Sequence, residues 1–378
     1  MVLPDFPRSL KELKDTEFVD RHLRTNWDPL ESFFLTHGLT LWVLPPDHWP
    51  GSGTVTPPDE RVRAPDGFTF RSPGDADRRY DFCLRSAFLC PARTTDGRDV
   101  IIRVVSIGEE GAHHRKALER LATGNIASVI GNHTVPVLQW LKLEDIVFAV
   151  FPLLSFMDPT VTFTFEDARD LLAHLHQMLE AVEFCHKRLV AHRDLFRHNF
   201  LSNFYGAGDV DASYNPPSPG RRVKPLRSLF PFMVYLIDFE RSLCFDIDSD
   251  PGTHHATGRP VLYYDPKDPA SYGFPAAPEM DRDEPHNPFR ADIWQLGTYF
   301  SELKEDYTLP RPLLDLIRRM TAEVPSERPT AAEALETVHQ MMSRLSIKEL
   351  RAPVWKPPID TAPESMTSDA SQPVYRSD

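Results

Sequence analysis

The stretch AHRDLFRHNF, residues 191–200, decides how the rest of the chain is read. It follows a run at 164–189 in which Leu171, Leu175, Met178, Leu179 and Val182 fall on one helical stripe. A polar segment after an amphipathic helix is ordinarily a turn, with Asp194 as a cap or salt-bridge residue. A second aspartate changes the balance. Asp238 closes the apolar run VYLIDFE at 234–240. A carboxylate at the end of a buried strand is costly unless it meets a charge or a metal. Two carboxylates and the Asn199 amide can surround a divalent cation and a phosphate tail.

The wider pattern resembles the protein kinase superfamily. HRDLFRHN at 192–199 is similar to its catalytic loop, with His192 and Arg193 as structural residues, Asp194 at the place of the catalytic base and Asn199 at that of a magnesium ligand. DFE at 238–240 resembles the D-F-G triplet, so the resemblance makes Asp238 the main magnesium ligand and Phe239 a packing residue. APE at 277–279 resembles the end of the activation segment. DIWQLG at 292–297 resembles the start of the central helix, with Asp292 as its aspartate. PSERPT at 325–330 supplies Arg328, matched to the arginine that pairs with Glu279. These matches occur in family order over roughly residues 80–345.

The first part of the chain matches less fully. VIIR at 100–103 is similar to the strand that carries the phosphate-positioning lysine, but here the residue is Arg103. The resemblance pairs it with Glu119 on the following helix, with Glu110 as the weaker candidate. The glycine-rich loop is missing: its glycines would fall near Asp81, Cys83 and Ser86. Glu240 replaces the last glycine of D-F-G. Phe196 stands where a lysine is usual, so Arg197 or His198 is expected to supply a donor to the transferred phosphate. Phe151 is placed as gatekeeper, with Pro152, Leu153 and Leu154 as the hinge that holds the base of ATP. NHTVPVLQW, DIVFAVFPLL, AHRDL and IDFE further resemble kinase-like proteins of mushroom-forming fungi.

The element pattern implies an α+β fold: strand-rich text at 67–154 and helical text over 155–350, with further helices expected at 291–304, 311–322 and 330–345. The resemblance makes this a two-lobed kinase-like fold. Residues 1–66 read as an N-terminal extension with a packing role, including a possible strand, LTLWVL, at 39–44. Residues 205–225 form a Gly/Pro-rich insertion carrying Arg221, Arg222 and Lys224, and 351–378 read as a disordered tail. The run DFCLRSAFLC at 81–90 and the segments 135–141 and 146–154 are expected strands.

Composition sets the outer limits. The chain has 378 residues, 41% hydrophobic, and a formal net charge of -13. That balance disfavours nucleic acid and acidic membrane surfaces as partners. Four cysteines, Cys83, Cys90, Cys185 and Cys244, share no CxxC spacing, which fits a reducing, intracellular compartment, cytoplasmic or nuclear. No signal-peptide pattern or membrane span is expected. His174, His176 and His186 lie on one helix without a zinc motif and read as packed or surface histidines. The functional expectation is a divergent protein kinase that uses ATP and Mg2+ to phosphorylate hydroxyl groups of a protein substrate. The alternative is a pseudokinase, a binding or scaffold module; a small-molecule kinase comes third.

Overall fold

The computed structural model describes residues 6–19, 23–45, 54–59, 70, 82–154, 165, 167–204, 231–262 and 275–354. The insertion at 205–225 lies outside the described residues, as does the tail beyond Val354.

The chain opens with helix α1 (Leu10–Val19), a 3-10 turn (Thr25–Leu30) and helix α2 (Glu31–Thr36), then enters strand β1 (Leu39–Leu41). A short pair follows, β2 (Thr54–Val55) and β3 (Phe82–Cys83), then β4 (Leu89–Thr94) and β5 (Asp99–Ile107). Helix α3 (Ala112–Leu121) leads to β6 (Gln139–Leu143) and β7 (Ile146–Pro152). The main sheet is antiparallel in the order β1-β4-β5-β7-β6. The run at 81–90 is therefore not one strand: it breaks at Leu84–Phe88 between β3 and β4. The strand expected at 135–141 begins only at Gln139, because Pro136 has no N–H to give a ladder.

Period-two alternation gives β5 two different faces. Val100, Ile102 and Val104 join a core with Trp27, Phe34 and Phe148. The ring of Phe34 sits edge-on to Phe148 at 5.1 Å and 5.8 Å from Trp27, a packing that adds to simple area burial. Ile101 and Arg103 point to the opposite face. Val105, on the same face as Ile101 and Arg103, joins the second core, and a register shift between Val104 and Ser106 returns Ile107 to the first. The N-terminal segment is thus part of the sheet layer: Leu39–Leu41 pairs with Ala92–Thr94. Gly111, before α3, has φ +83°, and a Cβ there would lie 2.2 Å from the Val105 carbonyl oxygen, so only glycine fits.

The remainder is mainly helical. Helix α4 (Ala168–Lys187) is capped by Asp167, whose carboxylate accepts from the Asp170 N–H at 2.8 Å, and buries the stripe Leu171, Leu175, Met178, Leu179 and Val182. Four short strands follow: β8 (Val190–Ala191), β9 (Phe200–Ser202), β10 (Val234–Leu236) and β11 (Leu243–Cys244), paired β8 with β11 and β9 with β10. Helices α5 (Pro288–Asp306), α6 (Arg311–Met320), α7 (Ala331–Arg344) and α8 (Ile347–Leu350) complete the described chain. The tail reading fails at its first residues. Val354 is buried, and its carbonyl accepts from the Thr308 N–H at 2.6 Å. Ala352 O accepts from Ala168 N–H at 3.1 Å, so this segment closes the start of α4. The fold is α+β: the described residues form a five-stranded antiparallel sheet, three two-stranded antiparallel pairs and a helical part. Among the described residues, no helix is long and apolar enough to cross a membrane.

Candidate active site

A cavity of about 400 Å³ lies between the Arg103 face of the sheet and the helical part. Leu89, Ile101, Leu118, Val135, Phe151 and Leu201 give it apolar walls, and Arg103, Asp238 and His114 bring polar groups. The expected gatekeeper and hinge residues, Phe151 and Pro152–Leu154, all line it. The backbone there is anchored, because the Leu153 N–H donates to Asp99 O at 3.2 Å.

The loop carrying Asp194 is held from below by α5. Asp292, fully buried, accepts the backbone N–H of His192 at 2.8 Å and of Arg193 at 2.6 Å, and its Oδ2 lies 2.9 Å from His186 Nε2. Gln295 accepts from the Leu195 N–H at 3.2 Å and donates to Arg193 O at 3.3 Å. These contacts keep Arg193 in the left-handed region at φ +65°, a conformation that persists only where its surroundings over-determine it. Asp194 is buried, and its Oδ2 accepts from Asn199 Nδ2 at 3.2 Å. The same amide nitrogen donates to Asp194 O at 2.8 Å. Asn199 thus spends its donor on Asp194, which leaves its amide oxygen as the group to offer a cation.

The second aspartate comes from the neighbouring strand end. The Ile237 N–H donates to Asn199 O at 2.9 Å, and His192 Nε2 lies 2.9 Å from Ile237 O. Phe239, fully buried, meets the His192 ring edge-on at 4.9 Å. Asp238 sits between them at φ +66°, again left-handed. Its Oδ1 accepts from Arg103 Nη2 at 3.1 Å, and Glu240 Oε1 accepts from the same nitrogen. Arg103 and Asp238 are therefore in contact, and the Asp194–Asn199 pair is joined to them through the Ile237 backbone. Asp238 and Asn199 offer hard oxygen donors, the kind suited to a magnesium-like cation that arrives with phosphate ligands of its own. Among the described residues, no group of three or more His, Cys, Asp or Glu side chains is arranged to hold a metal by itself.

The expected Arg103–Glu119 pairing does not form. Helix α3 buries His114, Ala117, Leu118 and Leu121, the i, i+4, i+7 face, and Glu119 stands one residue off it. It is half-exposed and accepts from Arg115 Nε at 2.8 Å instead. Glu110 accepts from the Leu10 N–H at 2.6 Å. The inward position belongs to His114. Burial first, then the neighbouring Arg103 charge, push its imidazole down to about 3, so it stays neutral at pH 7. Arg197 is exposed and outside the cavity lining, while His198 borders it. A cation that the sequence did not point to also stands beside Asp194: Arg241, whose Nε lies 3.6 Å from Asp194 Oδ2 and whose Nη1 donates to Pro260 O at 2.9 Å.

The turn at Ser86–Ala87, where the resemblance expects glycines, is braced from the N-terminal segment. Glu17 accepts from Ser86 Oγ at 3.0 Å and from the Ala87 N–H at 2.9 Å, and Trp27 Nε1 donates to Ala87 O at 3.1 Å. Fixed hydrogen bonds supply the rigidity, so glycine freedom is not needed there. Of the helix histidines, His186 holds Asp292, His176 Nδ1 lies 3.2 Å from Glu180, and His174 packs between Phe165 and Phe232. Further from the cavity, Arg328 grips Glu279 through both nitrogens, at 2.5 and 2.8 Å. No protein-family model matches the chain.

Proposed function

We propose that this chain is a divergent protein kinase with the two-lobed architecture of that superfamily, transferring the γ-phosphoryl group of ATP to a protein hydroxyl with the help of Mg2+. The observation that carries the reading is that Arg103 and Asp238 line one cavity while the strand end carrying Asp238 is hydrogen-bonded to Asn199, which holds Asp194, so three separate parts of the chain meet there. Scattered polar residues gain nothing from such an arrangement. A phosphate tail beside an apolar base slot uses all of it.

In this reading the apolar walls at Leu89, Ile101 and Leu201 sandwich the base, and the backbone at Pro152–Leu154 meets its edge. Arg103 offers its planar fork to the α/β-phosphates. Asp238 and the Asn199 oxygen would hold Mg2+, which when bound neutralises phosphate charge. Asp194, fixed by Asn199 and flanked by Arg241, orients the substrate hydroxyl and accepts its proton. Positioning and electrostatics carry most of the rate in such a site. The Glu279–Arg328 pair and the APE-like segment support a protein rather than a small-molecule acceptor, in an intracellular setting.

One observation favours the pseudokinase alternative: Arg103 is engaged by two carboxylates that a nucleotide has to outbid. Transfer of labelled phosphate from ATP to generic protein substrates separates the two. The kinase reading expects turnover in the wild type and its loss in Asp194→Asn. Nucleotide binding without any turnover would move the chain to the pseudokinase class.

A further inference from the structure

The next step rests on the kinase reading. Nη2 of Arg103 meets Asp238 Oδ1 at 3.1 Å and Glu240 Oε1 more closely. Both carboxylates come from one place, the two sides of Phe239 in a 3-10 turn (Phe239–Arg241). One guanidinium carries one positive charge, so the two compete for it. Glu240 has the closer contact and the more buried side chain, 17% exposed against 31% for Asp238. Its attraction is therefore less screened by solvent. Helix α3 does not compete: it turns neutral His114 into the cavity and Glu119 out to Arg115.

We propose that Glu240 is the positioning carboxylate of Arg103. It holds the guanidinium at the cavity in the role that Glu119, turned outward, does not fill. By taking up the arginine charge it also leaves the Asp238 carboxylate its own negative charge for a divalent cation. The residue that breaks the D-F-G pattern thus compensates for the outward carboxylate of α3. Both departures belong to one arrangement, and neither requires the site to be defunct.

Glu240→Gln tests this because it keeps size and a hydrogen-bond acceptor but removes the charge. Without the glutamate charge, Arg103 turns to Asp238 and opposes the cation there. Titration calorimetry with ATP, once in EDTA and once in magnesium, reads the two effects apart. In the wild type magnesium raises ATP affinity. In Glu240→Gln that increment falls by about tenfold, the scale of one charge-assisted contact. Affinity in EDTA falls by less than affinity in magnesium, because Arg103 is less well placed but still present for phosphate. Glu119→Gln behaves as the wild type in both buffers. A full magnesium increment in Glu240→Gln overturns the proposal, as does an equal loss in both buffers.

A second measurement needs no nucleotide. Double-mutant cycles in urea unfolding pair Arg103→Met with Glu240→Gln and, separately, with Asp238→Asn, which tolerates the left-handed backbone. The proposal expects the larger coupling with Glu240, and the reverse order overturns it. A wild type that binds no ATP in either buffer overturns the kinase reading instead, and the order of couplings then decides whether Glu240 is the partner of Arg103.

Discussion

Arg328→Ala removes more than one salt bridge. The Arg328 side chain is fully buried and Glu279 nearly so. Its two terminal nitrogens reach the two Glu279 oxygens at 2.5 and 2.8 Å. It also donates to three carbonyls: Ala322 at 2.8 Å, Arg290 at 3.0 Å and Glu323 at 3.2 Å. Truncation to alanine leaves the Glu279 carboxylate buried without its counter-charge and three carbonyls short of a donor. Breaking a buried pair from one side costs about 3–5 kcal/mol, and nearly all of the donors that satisfied this site disappear together. On a domain of this size the loss corresponds to a fall in Tm on the order of 5–10 °C. The assay is thermal and urea unfolding followed by far-UV circular dichroism. Because the pair lies away from the cavity, ATP affinity of the folded variant should stay close to the wild-type value. Glu279→Gln/Arg328→Met, which removes both charges, should recover part of the loss. An Arg328→Ala midpoint equal to the wild type refutes the reasoning, since one partner of a buried bidentate pair cannot be removed from the other without cost.

Two other sites give sharp expectations. His114 is held neutral in the fold, with its proton affinity pushed down from 6.5 to about 3. Below pH 6.5 the unfolded chain takes up a proton there and the folded chain does not, so this term is fully present above pH 6.5 and is lost as pH falls toward 3. By pH 4 the loss is roughly 3 kcal/mol relative to His114→Leu, and urea midpoints of both proteins at pH 7 and pH 4 should diverge accordingly; parallel curves would refute burial of His114. Gly297→Ala places a Cβ 2.6 Å from Met320 Cβ and 3.1 Å from Thr321 Cγ2, where α5 meets α6. Overpacking of that kind costs about 1–3 kcal/mol, and an unchanged unfolding midpoint would mean the two helices separate without strain.

What could be read from the sequence follows from how local each cause is. HRDLFRHN announced its loop because Asp194 and Asn199 are five residues apart, and Asp292 could be named as a structural residue in DIWQLG. The long helices were legible as apolar stripes: α4 and α7 begin and end within a few residues of the expected limits. Glu119 was misplaced because a glutamate at a suitable distance along the chain says nothing of helical phase. The 114, 118, 121 face was visible in AHHRKALERL and pointed to His114 instead. Strand β1 is only three residues long, and its place at the sheet edge depends on partners fifty residues away. Val354 sits in a Pro-rich stretch whose composition reads as a tail, and its burial depends on a groove that only the folded helices create. Glu240 meets Arg103 and Arg241 meets Asp194 from the turn after Asp238, and no spacing rule predicts such partners across a turn.

The central proposal to test is a magnesium–nucleotide site in the cavity, served by Asp238. The direct measurement is the shift in melting temperature on adding ATP, with magnesium and with EDTA, for the wild type and for Asp238→Asn. Ligand at 100 times its Kd stabilises a fold by about 2.7 kcal/mol, so saturating Mg-ATP should raise the wild-type Tm by several degrees. Asp238→Asn should lose the part of the shift that depends on magnesium and keep the part seen in EDTA. A wild type whose Tm does not move at millimolar Mg-ATP, or an Asp238→Asn variant that keeps the whole magnesium-dependent shift, would contradict the account.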